Sequence, residues 1–276
     1  MFVVKVPGIN GNSDTSGCEK SGNEILKILK KEGCVNESGN VVDITNLDLE
    51  EIHLDNSNLK LTNHLIYKNS FEIFESKPKT IFLGGDHSIS YSLCKAFLDS
   101  SKKRGKEPCL ILFDAHPDCK PFLNPNQDFP KNEEWLRKLI EDGFPKKNIL
   151  IVGIRNMNKE EFKFLKDNSI KTLSLNSLLE DIEETCEIIM EFSDKKDLYL
   201  SVDIDVIDPL FAPATANPEI GGLTSREFIY LISRLNKIKN LRAVDLVEIN
   251  PLKDKEHLTL TLGAKIISEL IRERVV

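Results

Sequence analysis

Residues 109–118 read CLILFDAHPD. Five apolar residues in a row, with no polar alternation, describe a strand covered on both faces, as in a parallel sheet. The run then breaks into Asp114-Ala115-His116-Pro117-Asp118, a dense polar cluster where the strand should end. Two other stretches repeat the arrangement. Residues 80–88, TIFLGGDHS, close on Gly84-Gly85-Asp86-His87-Ser88, and residues 198–205, LYLSVDID, close on Ser201-Val202-Asp203-Ile204-Asp205 and lead to Asp208-Pro209.

Outward from these stretches, similar apolar runs occur at Phe2–Val6, Val41–Ile44, Ile149–Ile154, Ile170–Leu173 and Leu241–Leu246. Between most of them lie stretches with helical spacing, at 23–31, 88–98, 133–141, 159–166, 178–192, 225–235 and 258–272. Alternating strand and helix predicts a doubly wound α/β fold, and the absence of a dividing linker or repeat predicts one domain over residues 1–276. In such a fold ligands bind beyond the carboxyl ends of the strands, which is where the polar clusters fall. The loops richest in Pro, Asn and Gly, Lys120–Asn132 and Pro209–Gly222, each follow a strand.

Composition narrows the partners. The 276 residues carry 37 Lys and Arg against 44 Asp and Glu, a net charge of 37 − 44 = −7. An acidic chain without a basic stretch argues against nucleic acid and weakly favours a cationic small molecule. No apolar run approaches the roughly 18 residues of a membrane span. The first residues lack a basic segment before a long apolar core, so a cytoplasmic location is expected. The six cysteines, Cys18, Cys34, Cys94, Cys109, Cys119 and Cys186, form no C-x-x-C pair and read as reduced thiols.

The clusters themselves carry the chemistry. In an extended chain Asp114, His116 and Asp118, at i, i+2 and i+4, point to one side. Asp203 and Asp205 share the same spacing. Buried aspartates with no Arg nearby, and only Lys120 close in sequence, are costly unless a cation joins them. A mixed Asp and His donor set suits Mn²⁺, Fe²⁺, Co²⁺ or Ni²⁺, and Zn²⁺ less specifically. His87, Asp114, His116, Asp118, Asp203 and Asp205 exceed the needs of one ion and fit a pair about 3.5–4 Å apart, which would lower the pKa of water. His53, His64 and His257 read as structural or surface residues, and Cys119 should face away from the cluster.

The three clusters resemble, in order, spacing and residue types, the signature motifs of the ureohydrolases, the arginase and agmatinase family that includes formiminoglutamase. The resemblance extends to Gly17-Cys18-Glu19 with Ile25-Leu26, to Pro213–Asn217 with Pro218 and Gly221-Gly222, and to Val247-Glu248-Ile249-Asn250-Pro251. It implies a three-layer α/β/α fold with a parallel sheet of about eight strands, two manganese ions per chain, and trimers or hexamers. It implies that His87, Asp114, Asp118 and Asp205 serve one ion, and that His116, Asp203 and the shared Asp114, Asp118 and Asp205 serve the other. Glu248 matches the carboxylate that binds a guanidinium, and Asp208 is a structural residue. The implied reaction adds water to the carbon of a guanidino or formimino substrate, expelling an amine and leaving urea or formamide.

The resemblance fails at two places. Members usually carry a proton-shuttling histidine after the second motif, but residues 119–139 hold none and Asn132 occupies its place. Asn cannot act as an acid, so Asp118 or water would supply the proton. Lys120 and Asn158 stand where arginases have an uncharged hydrogen-bonding residue and a carboxylate, which favours a substrate with a carboxylate and no α-amine. Two other readings compete: a degenerate relative that binds metal without turnover, and a deacetylase-like hydrolase with one zinc. The second Asp pair weighs against one zinc, and retention of Glu248 weighs against degeneracy.

Overall fold

Eight strands pair side by side in the order β4-β1-β5-β10-β9-β6-β7-β8, every pairing parallel. The computed structural model that shows this describes residues 2–11, 13–32, 34–37, 39, 41–42, 47–122 and 127–271. In chain order the elements are β1 (Phe2–Val6), α1 (Ser21–Glu32), β2 (Cys34–Val35), β3 (Val41–Val42), β4 (Asp48–Glu51), α2 (Leu59–Ser76), β5 (Thr80–Gly84), α3 (Ile89–Lys103), β6 (Pro108–Phe113) and α4 (Trp135–Glu141). There follow β7 (Ile149–Val152), α5 (Lys159–Asp167), β8 (Lys171–Leu173), α6 (Leu175–Glu180), α7 (Ile182–Phe192), β9 (Asp197–Asp203), α8 (Ser225–Leu235), β10 (Leu241–Val247) and α9 (Leu258–Leu270).

The sheet separates two apolar cores because successive side chains of a strand point to opposite faces. On one face Ile81, Leu83, Ile111, Phe113 and Leu200 pack with Ile25 and Leu29 of α1, Ile189 of α7, Phe228 of α8 and Ile266 of α9. On the other Phe82, Leu110, Leu112 and Tyr199 pack with Phe74 of α2, Phe97 of α3, Leu139 of α4 and Leu165 of α5. This is the three-layer α/β/α arrangement expected of the chain. Continuous apolar runs are what a strand buried on both faces requires.

Three expectations shift. The run Val41–Ile44 supplies only the short β3, which pairs antiparallel with β2 outside the main sheet; Asp43 and Ile44 lie outside the described residues, as do residues 123–126 and Arg272. The strand that completes the sheet is β4, Asp-Leu-Glu-Glu, an exposed acidic edge without an apolar run. Charge on an edge blocks further strand addition and hides the strand from a hydrophobicity reading. The helix expected over 178–192 is broken at Asp181, whose side chain accepts from Glu183 N at 3.0 Å and Glu184 N at 2.9 Å and so starts α7 anew.

One glycine links the fold to the site. Asp86 N donates to Gly8 O at 3.1 Å, and Glu248 N donates to Gly85 O at 3.0 Å, so Gly85 joins the ends of three neighbouring strands. A Cβ on Gly85 would collide with the Gly8 carbonyl. Gly85→Ala should therefore lower unfolding stability by about 1–3 kcal/mol. Urea denaturation measures this, and an unchanged midpoint would contradict the close approach.

Candidate active site

The strands β5, β10, β9 and β6 are neighbours at the centre of the sheet. Leu83 pairs with Leu246, Val247 with Asp203, and Val202 with Phe113. Their carboxyl ends thus reach one level, where the residues after them meet: His87, Asp114 to Asp118, Asp203 to Asp205, and Glu248. Two candidate metal-holding groups form there, His87 with Asp114 and Asp118, and Asp114 with His116 and Asp205.

His87 is fully buried. Its Nε2 lies 3.0 Å from Ser201 Oγ, which donates its own proton to Asp245 Oδ1 at 2.7 Å. Ser201 must then accept from His87 Nε2–H, which leaves a lone pair on Nδ1 in the neutral imidazole. Asp245 can be the end of this chain because Ser90, Tyr199 and the Val202 amide also donate to its carboxylate. Nδ1 of His87 lies 3.2 Å from Asp114 Oδ2, 3.1 Å from Asp118 Oδ2 and 3.1 Å from Asp203 Oδ2. Neither His87 Nδ1 nor Asp114 Oδ2 has a hydrogen-bond partner among the described residues. A lone pair facing three carboxylate oxygens in a buried site is held only by positive charge among them.

The second group mirrors the first. His116 Nδ1 lies 2.9 Å from Asp205 Oδ2 and 3.6 Å from Asp114 Oδ1, while its Nε2 turns to Glu219 Oε1 at 3.4 Å. Asp114 thus shows one oxygen to each imidazole. Backbone amides pin one oxygen of each aspartate and leave the other turned inward. His116 N donates to Asp114 Oδ1 at 2.6 Å, Asp205 N to Asp203 Oδ1 at 2.9 Å, and Ala115 N to Asp205 Oδ1 at 3.0 Å. Asp118 is held instead by the Trp135 indole, which donates to Oδ2 at 3.0 Å and packs against the His87 ring, centroids 4.9 Å apart.

Protonation follows the crowding. Burial disfavours charge on both imidazoles, yet the facing carboxylates hold the His87 pKa well above its usual value and push His116 up to about 12. Burial also opposes the Asp114 carboxylate, but the two histidines hold it down near about 2. Burial and then repulsion from Asp114 raise Asp118 to about 7, and burial with neighbouring carboxylates raises Asp203 and Asp205. The cluster attracts positive charge from whatever source supplies it.

Glu248 sits at the inner wall of a cavity of about 200 Å³. Its Oε1 accepts from His87 N at 2.9 Å and Asn132 Nδ2 at 3.3 Å, and the Cys18 thiol lies 3.9 Å from Oε2. Burial and then Asp86 raise its pKa to about 8. Glu248 at φ 65° and Asp118 at φ 47° are in the left-handed region, costing about 1–3 kcal/mol each.

The geometry differs from expectation in several respects. Asp114, His116 and Asp118 converge, but not by extended alternation, because the chain leaves β6 after Phe113 and turns left-handed at Asp118. Asp203, not Asp205, stands beside His87, and Asp205 stands beside His116. Lys120 lines the cavity, but its ammonium is paired with Glu133 at 2.7 Å, so it brings no net positive charge. Asn158 lines the cavity too, yet its Oδ1 caps α5 by accepting from Glu160 N and Glu161 N at 2.9 Å. Asp208 holds its loop as expected, accepting from Leu210, Gly221 and Gly222 amides.

Sequence reading missed the supporting residues. Trp135, Asp245 and Glu219 are separated from the motifs they serve by pairing across the sheet or by loops, and Ser201, though inside the third cluster, serves His87 of the first across the sheet. Arg155 donates to Val206 O at 3.3 Å and Glu219 O at 2.7 Å, fixing the loop that carries Glu219. The one local signal was in β10, where Asp245 interrupts an apolar run and so demands buried partners.

Comparison with known proteins agrees with this geometry. The Arginase family model matches residues 1–272. The chain is 27% identical over 259 residues to an arginase of Staphylococcus aureus strain MRSA252, covering 87% of this chain and 84% of that protein. It is 28% identical over 232 residues to the agmatinase of Bacillus subtilis strain 168, covering 84% and 76%. The fold superposes on formimidoylglutamase from the same Bacillus strain with a TM-score of 0.85 at 24% identity, covering 98% of this chain and 85% of the other. The chain belongs to the arginase family, hydrolases of the carbon–nitrogen bonds of linear amidines.

Proposed function

We propose that the chain is a two-metal ureohydrolase acting on a small cationic guanidino or formimino substrate. His87, Asp114, Asp118 and Asp203 would hold one ion, and Asp114, His116 and Asp205 the other, with Asp114 shared. The observation that carries this reading is the buried His87 Nδ1, set 3.1–3.2 Å from carboxylate oxygens of Asp114, Asp118 and Asp203, an arrangement that calls for positive charge at its centre. The oxygen and imidazole donor set supports manganese, with iron, cobalt, nickel or zinc as competitors. A bound pair of ions would supply Lewis-acid polarisation and a water acidic enough to react near neutral pH.

The chain's own groups account for the rest. Glu248 binds the planar cation through Oε2, because Oε1 is already committed to His87 N–H and the Asn132 amide. Asp118, fixed through Oδ2 by Trp135, is the cavity carboxylate that takes a proton from water and returns it to the leaving amine. The C–N bond then breaks, the amine departs protonated, and urea or formamide remains. Five buried free thiols, Cys18, Cys94, Cys109, Cys119 and Cys186, support a reducing, cytoplasmic setting. The family resemblance supports a homo-oligomer.

Trp135 is the only tryptophan of the chain and touches both His87 and Asp118. Its emission should therefore report ion binding directly, changing on titration with Mn²⁺ until about two ions are bound. Asp118→Ala and Asp205→Ala should each lose bound manganese, while Asp99→Ala, hydrogen-bonded to Tyr67 on the outer face, should not. Equal metal content in all three would sink the ligand assignment. Trp135→Phe, with metal measured by elemental analysis, should weaken binding by about 10–100-fold.

With manganese loaded, release of urea, formamide or ammonia is to be measured over arginine, agmatine, guanidinobutyrate, guanidinopropionate, guanidine and formiminoglutamate. Turnover of at least one is expected. Glu248→Gln should lower its kcat/KM by ~30-fold or more, since it removes one partner of a buried charge pair. Two ions bound without turnover of any compound would leave a metal-binding relative instead of an enzyme of these substrates.

A further inference from the structure

Two buried polar atoms in the cavity wall have no hydrogen-bond partner among the described residues, Asn132 Oδ1 and Thr215 Oγ1. Asn132 is 5% exposed and Thr215 2%. Buried polar groups are nearly always paired, so each unpaired one calls for an explanation. His87 Nδ1 and Asp114 Oδ2 are explained by the metal cluster. Thr80 Oγ1 and Arg242 Nε lie at the opposite, amino ends of β5 and β10. Asn132 and Thr215 remain, and both residues line the same cavity as Glu248, their unpaired oxygens buried just behind its surface.

The orientation of the Asn132 amide is fixed by its neighbour. A carboxylate only accepts, so the group that meets Glu248 Oε1 at 3.3 Å must be the Nδ2 donor. Oδ1 is then a pure acceptor with nothing to accept. Thr215 Oγ1 has two lone pairs and one proton, all without a partner among the described residues, and Glu248 Oε2 has only a weak thiol at 3.9 Å. The wall therefore presents three acceptor atoms in want of donors. Their matching ligand is a planar cation with N–H groups around its whole edge. A guanidinium has them on all three nitrogens, whereas a formimino group presents a C–H on one edge.

We propose that Asn132 and Thr215 accept from the guanidinium nitrogens that Glu248 leaves free, and so select guanidino over formimino substrates. The proposal rests on the reading of Glu248 as the residue that binds the substrate head. Asn132 then replaces the expected histidine with a neutral acceptor that reads substrate shape in place of moving protons. Discrimination of this kind is strong, because the wrong ligand leaves buried acceptors unpaired.

The test uses the manganese-loaded chain and two probe ions of equal charge and nearly equal shape. These are guanidinium and acetamidinium, in which a methyl group replaces one NH₂. Binding is read by calorimetry at millimolar concentrations, well below denaturing levels. Wild type should bind guanidinium tighter by on the order of 10-fold or more. Thr215→Val and Asn132→Leu should each narrow that gap, and the double variant should remove it. Thr215→Val keeps the side-chain shape and removes a hydroxyl without a partner, so its thermal midpoint should hold or rise. Equal affinities in wild type, or an undiminished gap in both variants, would overturn the acceptor role while leaving Glu248 in place. Failure of guanidinium to bind at all with manganese present would instead overturn the reading of Glu248, and this proposal with it.

Discussion

The constraint on which the rest depends is the burial of Asp114, Asp118, Asp203 and Asp205 around two imidazoles at one end of the sheet. Removing a carboxylate from water costs several kcal/mol even after relaxation. Four within reach of one another repel as well, which is why burial and mutual repulsion lift Asp118, Asp203 and Asp205 above the usual carboxylate range. Among the described residues no Arg or Lys forms an ion pair with these four carboxylates, and Arg155 reaches only the Asp205 backbone carbonyl. The fold surrounds the cluster with donors that hold each carboxylate in place and turns one oxygen of each toward the imidazoles, that of Asp114 toward His87 without a hydrogen-bond donor. Such an arrangement is unfavourable for a chain alone and favourable for one that binds cations.

Rigidity comes from outside the cluster. Ser201 and Asp245 fix the tautomer of His87 from the strands beneath it, and Glu219 faces the corresponding nitrogen of His116 from a loop tied down by Arg155. Trp135 fixes Asp118 from the first turn of α4. These partners set which nitrogen points inward, a property that metal ligands need as much as position. The left-handed backbone at Asp118 and Glu248 adds strain at the same place. The two apolar cores that sandwich the sheet offset that cost, so the instability is confined to the side chains that do the chemistry.

Much of this was legible in the sequence, and the losses have physical causes. Strands buried on both faces announce themselves as apolar runs, so β1, β5, β6, β7, β9 and β10 were plain. The edge strand β4 was not, because an edge must be charged where the centre must be apolar. The six candidate ligands were readable because a buried carboxylate after an apolar strand is costly and therefore informative. Their division between two sites was not readable. Asp203 and Asp205 are separated by one residue, and the turn after β9 decides which of them faces His87. Lys120 misled for a related reason, since its partner Glu133 lies 13 positions away and cancels a charge that looked free.

The cavity mouth and the cavity floor follow different rules. At the mouth, Lys120 is matched by Glu133 and Glu219 adds a carboxylate, so no net positive charge remains to attract an acidic tail. Charges there are partly solvated and screened, and they tune encounter more than affinity. At the floor, Glu248, Asn132 and Thr215 are buried, and each unmet acceptor counts at close to its full desolvation cost. On the reading proposed above, the floor selects the head group, while the mouth only biases the tail attached to it. The His and Asp cluster and Glu248 are bound by the energetics of burial, whereas Lys120 and Asn158 lie where a change of charge costs little.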